Sequence, residues 1–460
     1  MPSVSLARRE VRATLVLAVP LVLTQLSQMA MSFVDVIMIG RLGTTALAAG
    51  VLGSSLFVTL SLMSMGVVLA VNPSVAQSYG AGDALEVGRW ARQGLWLGLF
   101  LGLPLVALFG QGEAILRAVG QEPEVAALAG DYLRAIRWGV VPNLWFTALR
   151  GLCEGVGQPR PVLVVTVVAI AVNAAANWVL MYGKLGFPAL GLEGTGWSSA
   201  IVMAVMFVLL GGYVRRAPAL GRYRVFVGLR RPDGPHLRAL FRLGWPIGVN
   251  FGLEAGLFLA ATFLVGLFGT VALAAHQVAI NAASVTFMVP LGIGMAGTVR
   301  VGQAVGRGDG PGAARAGWAA IGLGGAFMLL AALLFWLRPE WVVWLYTGQG
   351  GGEGVAPEVV SLAALLLGVA AVFQLFDGVQ ATAAGALRGL KDTRVPMLIG
   401  GFSYWVVGMS AAVGLGFGLD LGAPGVWGGL TLGLATAAAL LTLRFRRRVR
   451  ARAPAATARP

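Results

Sequence analysis

Gly40-Arg41-Leu42-Gly43-Thr44-Thr45-Ala46-Leu47-Ala48-Ala49 returns 226 residues later as Gly266-Leu267-Phe268-Gly269-Thr270-Val271-Ala272-Leu273-Ala274-Ala275. The match widens in both directions without a gap. Upstream, Leu17 and Pro20 fall on Leu243 and Pro246; downstream, Gln77, Gly80, Gly82, Asp83 and Arg89 fall on Gln303, Gly306, Gly308, Asp309 and Arg315. A later segment, Ala148-Leu149-Arg150-Gly151-Leu152, recurs as Ala386-Leu387-Arg388-Gly389-Leu390 at an offset of 238, and a proline, Pro161 or Pro396, opens the next apolar run in each copy. The chain is written twice, and in an apolar protein a duplication of this length marks transporters built from two related halves. The growth of the offset places extra residues in the second half, where Gly348 to Gly354 form a Gly-rich loop.

Of the 460 residues, 57% are hydrophobic and only 12% charged, with a mean hydropathy of +0.81. Soluble domains carry about 25% charged residues, so the composition is that of an integral membrane protein. Twelve apolar runs are expected to span: 13–38, 48–72, 93–110, 126–149, 161–182, 195–214, 244–267, 273–296, 316–337, 359–386, 396–418 and 424–443. Each is long enough to cross ~30 Å of hydrocarbon as a helix; barrel strands would alternate and be about half as long. The expected fold is therefore all-α, with 12 transmembrane helices in two six-helix repeats. An even number of spans per repeat makes the repeats parallel and not inverted. The expected organisation is an N-lobe at 1–214, a basic linker at 215–242 with Pro218, Pro232, Asp233-Gly234 and Pro235, a C-lobe at 243–443, and a basic tail at 444–460.

A net charge of +15 invites a nucleic-acid reading, but the placement of the charge rejects it. With the N-terminus inside, the outer face receives only Arg41, Arg117, Arg134, Arg137, Lys184 and Arg338, and the other 28 of 34 basic residues fall inside. This positive-inside bias puts both termini in the cytoplasm. Cys153 is the only cysteine, which excludes an internal disulfide and a Cys metal cluster. The first apolar run continues past 20 residues without a small-residue cleavage site, so it reads as a span and not as a removable signal peptide. There is no G-x-x-x-x-G-K-[ST] loop and no H-E-x-x-H, so neither direct use of ATP nor an enzyme is expected.

Ionisable groups within spans are costly and are functional candidates by default. Three acids fall well inside: Asp35, Glu254 and Asp377. Glu254 lies ~18 Å beyond Arg242 and Asp377 ~17 Å before Arg388, at 1.5 Å per helical residue, so both sit near the midplane of one lobe and suit one site. Asp35 lies ~9 Å below the outer face and Asn177 ~10 Å, with Asn173 one turn away on the same helix face. Asp35, Asn173 and Asn177 thus make an oxygen-rich group to which Thr195, Ser198 or Ser199 adds a hydroxyl. The alternative for the two asparagines is simple interhelical hydrogen bonding. Under the repeat, Glu254 falls on Gln28, Asp35 on Ala261 and Asp377 on Gly139: the scaffold is duplicated and the acids are not. His276 is either a group titrating near neutrality or a packed polar residue at a helix end. Pro20 and Pro246 bend their helices at matching positions, as fixed kinks or as hinges.

The run Pro20…Phe33-Val34-Asp35…Ile39-Gly40…Gly43 resembles the first-helix signature of the multidrug and toxic compound extrusion (MATE) transporters. So do Ala275-His276-Gln277-Val278-Ala279, Gln374-Leu375-Phe376-Asp377-Gly378-Val379-Gln380 and Arg388-Gly389-Leu390-Lys391-Asp392-Thr393. The resemblance covers about 10–440, and Glu254 with Asp377 is similar to the acidic pair of the NorM-type branch. It implies two six-helix lobes, alternating access, and export of organic cations and amphipathic drugs in exchange for Na⁺ or H⁺. It also implies a monomer in the cytoplasmic (inner) membrane of a bacterium, with no cofactor beyond the coupling ion. Asp35, Asn173 and Asn177 are the residues implied for a Na⁺, with Glu254 and Asp377 as the second-lobe candidates. Where some NorM-type members have Tyr one turn before the second-lobe Asp, this chain has Phe373, which carries no hydroxyl. The competing expectation is a lipid-linked-oligosaccharide flippase of the wider superfamily. Such a protein is expected to have more spans and a cationic cavity, whereas the intramembrane charges here are acidic.

Overall fold

The computed structural model describes residues 2–229, 231–347 and 356–452; the Gly-rich stretch Gly348 to Gly354 lies outside them. The described residues are almost wholly helical. In chain order the helices are α1 (Pro2–Gly40), α2 (Thr44–Val68), α3 (Val71–Gly80), α4 (Ala84–Gly110), α5 (Gly112–Ala118), α6 (Pro123–Ile136), α7 (Val140–Gly155), α8 (Arg160–Tyr182), α9 (Gly191–Arg216) and α10 (Pro218–Gly221). They continue as α11 (Gly234–Gly266), α12 (Thr270–Gly306), α13 (Gly310–Leu337), α14 (Pro339–Thr347), α15 (Pro357–Gly389), α16 (Arg394–Gly401), α17 (Met409–Val413) and α18 (Gly422–Arg450). Among these residues, 11 helical stretches are long and apolar enough to cross a membrane. The twelfth expected span, 126–149, is not one α-helix: a 3₁₀ turn at Arg137–Gly139 separates α6 from α7. Pro142 supplies the reason, since it has no N–H for the Trp138 carbonyl and its ring crowds that carbonyl, so the turn tightens.

The repeated motif that opens the sequence builds the same corner twice. Gly43 and Gly269 hold φ of 109° and 100° between α1 and α2 and between α11 and α12, a conformation that side chains resist. Asp83 and Asp309, also a repeated pair, cap α4 and α13 by accepting the N–H groups of Glu86 (2.9 Å) and Gly312 (2.7 Å).

By packing, the chain forms two compact units, Leu23–Val249 and Met1–Val22 with Asn250–Pro460. The division cuts α1 just after Pro20 and α11 just after Pro246. These units therefore differ from the expected lobes: residues 1–22 go with the C-terminal helices, whereas 243–249 and the linker go with the N-terminal ones. Side-chain contacts explain the exchange. Ala18 and Leu21 are buried against Ile293, Ala296 and Ala320, and Glu10 accepts both Nε and a terminal nitrogen of Arg300 at 2.9 Å. On α11, Gly244 and Gly248 lie directly on the backbone of Val67 and Met63, where a Cβ would overlap. The linker is not a free strand either. Arg92 donates to the carbonyls of Val225 and Arg224, both at 3.3 Å, and Trp96 to that of Leu229 at 2.8 Å, while Tyr223 and Val225 are buried.

Each unit has its own apolar core. Phe57, Phe109, Phe146 and Leu149 lie within the first; Leu257, Phe373, Trp427 and Phe445 lie within the second. Close helix contacts rely on small residues, as where Gly385 of α15 meets Gly294 of α12 and the Thr298 hydroxyl donates to the Gly385 carbonyl at 2.8 Å. Large apolar side chains such as Val16, Ile37, Val164, Val208, Phe263 and Leu330 remain exposed. On a soluble protein such a surface marks an interaction face or an aggregation hazard; here it is the surface that faces lipid.

Candidate functional site

In the Leu23–Val249 unit, α1 and α8 bring Asp35, Asn173 and Asn177 together. Asp35 Oδ1 accepts the side-chain N–H groups of Asn173 at 3.0 Å and Asn177 at 2.6 Å. The asparagines are four residues apart and so share one face of α8. Ser198 of α9 donates to the Asn173 carbonyl at 3.4 Å. Ser199, the sequence candidate beside it, makes none of this group's hydrogen bonds among the described residues, and Gln28 contributes only its carbonyl, to Ser32. Among the described residues, three buried oxygens, Asn173 Oδ1, Asn177 Oδ1 and Thr195 Oγ1, have no hydrogen-bond partner. Leaving a buried polar atom unpaired costs about 1–3 kcal/mol. A carboxylate beside two amide oxygens is the kind of oxygen set that a hard cation takes.

In the other unit, Glu254 of α11 and Asp377 of α15 face one amide. Gln380 Nε2 lies 3.4 Å from Glu254 Oε1 and 3.5 Å from Asp377 Oδ1. The Tyr404 hydroxyl donates to Gln380 Oε1 at 3.0 Å and fixes which way the amide points. Asp377, Gln380 and Tyr404 are all buried. Tyr404 stands in Phe402–Gly408, where the helix after α16 widens into π turns, and Gly414–Gly418 widens again. Such turns often accompany functional sites. From the same segment Trp405 donates to the Leu253 carbonyl at 3.2 Å, next to Glu254. Phe373 takes no polar part: its ring packs 5.2 Å from Trp427 and 6.1 Å from Phe258. The hydroxyl absent at 373 is supplied to the acid pair's amide by Tyr404.

His276 is fully buried and held on both ring nitrogens. Trp427 Nε1 donates to its Nδ1 at 3.1 Å, and its Nε2 lies 3.1 Å from Thr262 Oγ1, whose own proton goes to the Phe258 carbonyl. Indole N–H is only a donor, so Nδ1 is the acceptor and the ring's proton sits on Nε2. This is the packed-polar alternative for His276, and it meets neither acid group.

Sequence reasoning missed Gln380 and Tyr404. Gln380 stands one turn after Asp377 and was legible by spacing; Tyr404 depends on the π turns and was not. It also missed a third buried polar group. Glu154 of α7 accepts Arg150 Nε at 2.6 Å and Asn72 Nδ2 at 2.8 Å, and Arg150 also donates to Gln25 Oε1 at 2.7 Å. Its signal was an acid four residues after an arginine in the repeated motif. Elsewhere in this unit a cavity of about 480 Å³ is lined by Trp96, Trp145, Phe207 and Phe226 among aliphatic residues, without a charged group.

One acid held by two amides, and a pair sharing a third, within the spans of a multi-pass helical scaffold are the features of a membrane transport protein. A model of the MatE family matches residues 20–179 and 246–413, one segment in each repeat. The chain belongs to this family. It is 42% identical over 443 residues to the probable multidrug resistance protein NorM of Mesorhizobium japonicum, covering 96% of this chain and 94% of that one. It is 44% identical over 438 residues to the protein of the same name in Rhodopseudomonas palustris, covering 95% and 92%. Among solved structures, the eukaryotic MATE transporter AtDTX14 superposes with a TM-score of 0.86 at 20% identity, over 97% of this chain and 99% of that one. A transporter of the MOP superfamily from Pyrococcus furiosus, described for the reverse polarity of its binding pocket, superposes at 0.84 and 20% identity over 97% of each chain. The fold is shared across these proteins, and choice of substrate rests with the residues each carries in its site.

Proposed function

We propose that this chain is a multidrug efflux antiporter that exports cationic and amphipathic organic molecules in exchange for Na⁺ or H⁺. It would work by alternating access across the cytoplasmic (inner) membrane of a bacterium, as a monomer with both termini in the cytoplasm. The observation that carries this reading is the pair of dissimilar acid groups, one in each compact unit. Both are negative and lie within spans, which favours cations and argues against a lipid-linked pyrophosphate. The printed names of the NorM relatives support the drug class.

The chemistry of each group supports coupling. Asp35 Oδ1 accepts two amide N–H groups. A proton on the carboxylate weakens that acceptor and adds a donor. A Na⁺ beside it draws the carbonyl ends of Asn173 and Asn177, now unpartnered, toward the ion. Either event changes which arrangement of α1 and α8 is stable, and a ligand shifts a conformational equilibrium only through such a difference. Glu254 and Asp377 share one amide at long range, so a cation entering between them gains from both. Pro20 and Pro246 are the hinge candidates, because each stands just before the point where its helix passes from one unit to the other.

The test is ethidium transport by the purified protein in proteoliposomes, driven first by a Na⁺ gradient alone and then by a pH gradient alone. Accumulation under one gradient and none without a gradient is expected. Failure under both gradients, with correctly inserted protein, would overturn the reading.

A further inference from the structure

We propose that Arg388 is a tethered counter-cation that competes with the transported cation for Glu254 and rests on the Phe251 ring while the cation holds the site. The proposal builds on the efflux reading above and adds a residue that governs release. Its basis is a comparison of the two copies of the Leu-Arg-Gly motif. In the first copy Arg150 is anchored, with Glu154 at 2.6 Å and Gln25 at 2.7 Å. In the second copy both anchors are gone. The residue matching Glu154 is Asp392, which accepts Arg444 at 3.0 Å and Arg448 at 2.6 Å instead. The residue matching Gln25 is Phe251, whose ring offers a face and no hydrogen-bond acceptor.

Arg388 is left with little. Among the described residues its guanidinium carbon lies 5.8 Å from the Phe251 ring centre, and its Nε makes one long hydrogen bond, 3.4 Å, to the Ala384 carbonyl. It pairs with no carboxylate within 4 Å there, yet Glu254 is its foremost electrostatic neighbour. Phe251 and Glu254 are three residues apart on α11, hence adjacent on one helix face. The guanidinium over Phe251 therefore lies about one helix turn from Glu254 along α11. A ring face holds a cation far more weakly than a carboxylate does in a low-dielectric site, so Arg388 competes for Glu254 and resists re-entry of the exported molecule. The cations able to face Glu254 are thus the coupling ion, the transported cation and Arg388, and only one is held at a time.

The test measures ethidium affinity by fluorescence, and turnover in proteoliposomes, for the wild-type protein and five variants. Arg388→Gln should bind ethidium about tenfold more tightly and turn over correspondingly more slowly, and Arg388→Lys should return both toward wild type, because the competitor is a charge. In a Glu254→Gln background, Arg388→Gln should change affinity less than about twofold. Phe251→Leu, which keeps the arginine but removes its resting surface, should weaken ethidium about fivefold. A folding role alone would lower the melting temperature without the Lys rescue and without dependence on Glu254. If wild type binds ethidium but Arg388→Gln binds it equally or more weakly, or if the gain persists without Glu254, the proposal is overturned and the efflux reading stands. An unaltered affinity in Phe251→Leu overturns it too. If the wild type neither binds nor transports ethidium, both fall.

Discussion

Asp35 accepts two amides from one face of α8, whereas Glu254 and Asp377 draw on a single amide that Tyr404 holds in place. Asn has nearly the shape of Asp, so Asp35→Asn should insert and melt like wild type while ion-driven ethidium efflux falls at least about tenfold; Glu254→Gln should behave alike. Near-normal efflux by both would sink the site assignment. The Arg150–Glu154 pair predicts the opposite pattern. Glu154→Ala removes the carboxylate from a buried guanidinium that keeps its bond to Gln25, at a cost of up to about 3–5 kcal/mol. Its expected result is a large fall in melting temperature and yield, and whatever protein folds should still bind ethidium. The acids themselves were legible, because depth along a helix is counted from sequence. Gln380 was legible in principle, whereas choosing among Thr195, Ser198 and Ser199 turned on a rotation of α9 that residue counting does not fix; Ser198 meets the Asn173 backbone carbonyl.

Elements carry the next level. The two prolines interrupt α1 and α11 at repeated positions, and the compact units part company immediately after each. Restoring a backbone donor with Pro20→Ala or Pro246→Ala should stiffen the helix, leaving ethidium binding within about twofold while transport slows several-fold. Loss of binding with unchanged relative transport would contradict a hinge role. At the π-helical segment, Tyr404→Phe removes the donor to Gln380 Oε1, a contribution of about 1 kcal/mol, and should weaken ethidium binding roughly fivefold with little change in melting temperature. The helices themselves were read from apolar run length. The break at Arg137–Gly139 was not, because hydropathy is blind to a proline at the start of α7, and the π turns were not, because their sequence is as apolar as any span.

At the scale of the whole molecule, orientation is the open physical question that charge answers. The positive-inside bias predicts that residues beyond α18 and the loop before α11 face the cytoplasm. Cys153 is the only cysteine and is buried, so Cys153→Ser gives a clean background for labelling. Asp233→Cys should react with a membrane-impermeant maleimide only after the cells are opened, and Glu122→Cys in intact cells. Reversal of that pattern would invert the topology and with it the direction of export.

Sequence alone determined the helical membrane class, the doubling and the three acids, since each follows from run length, repetition or charge placement along one dimension. Tertiary structure alone decided that residues 1–22 and 243–249 pack with the opposite unit, because Leu21 and Gly248 find their partners on helices hundreds of residues away or in the other repeat. It decided that Tyr404 orients the amide shared by two carboxylates. It also decided that two arginines in identical motifs have different fates, one locked to Glu154 and one left on a ring beside Glu254. Partner identity depends on what folding brings alongside, and that information is distributed over the chain and not contained in either motif.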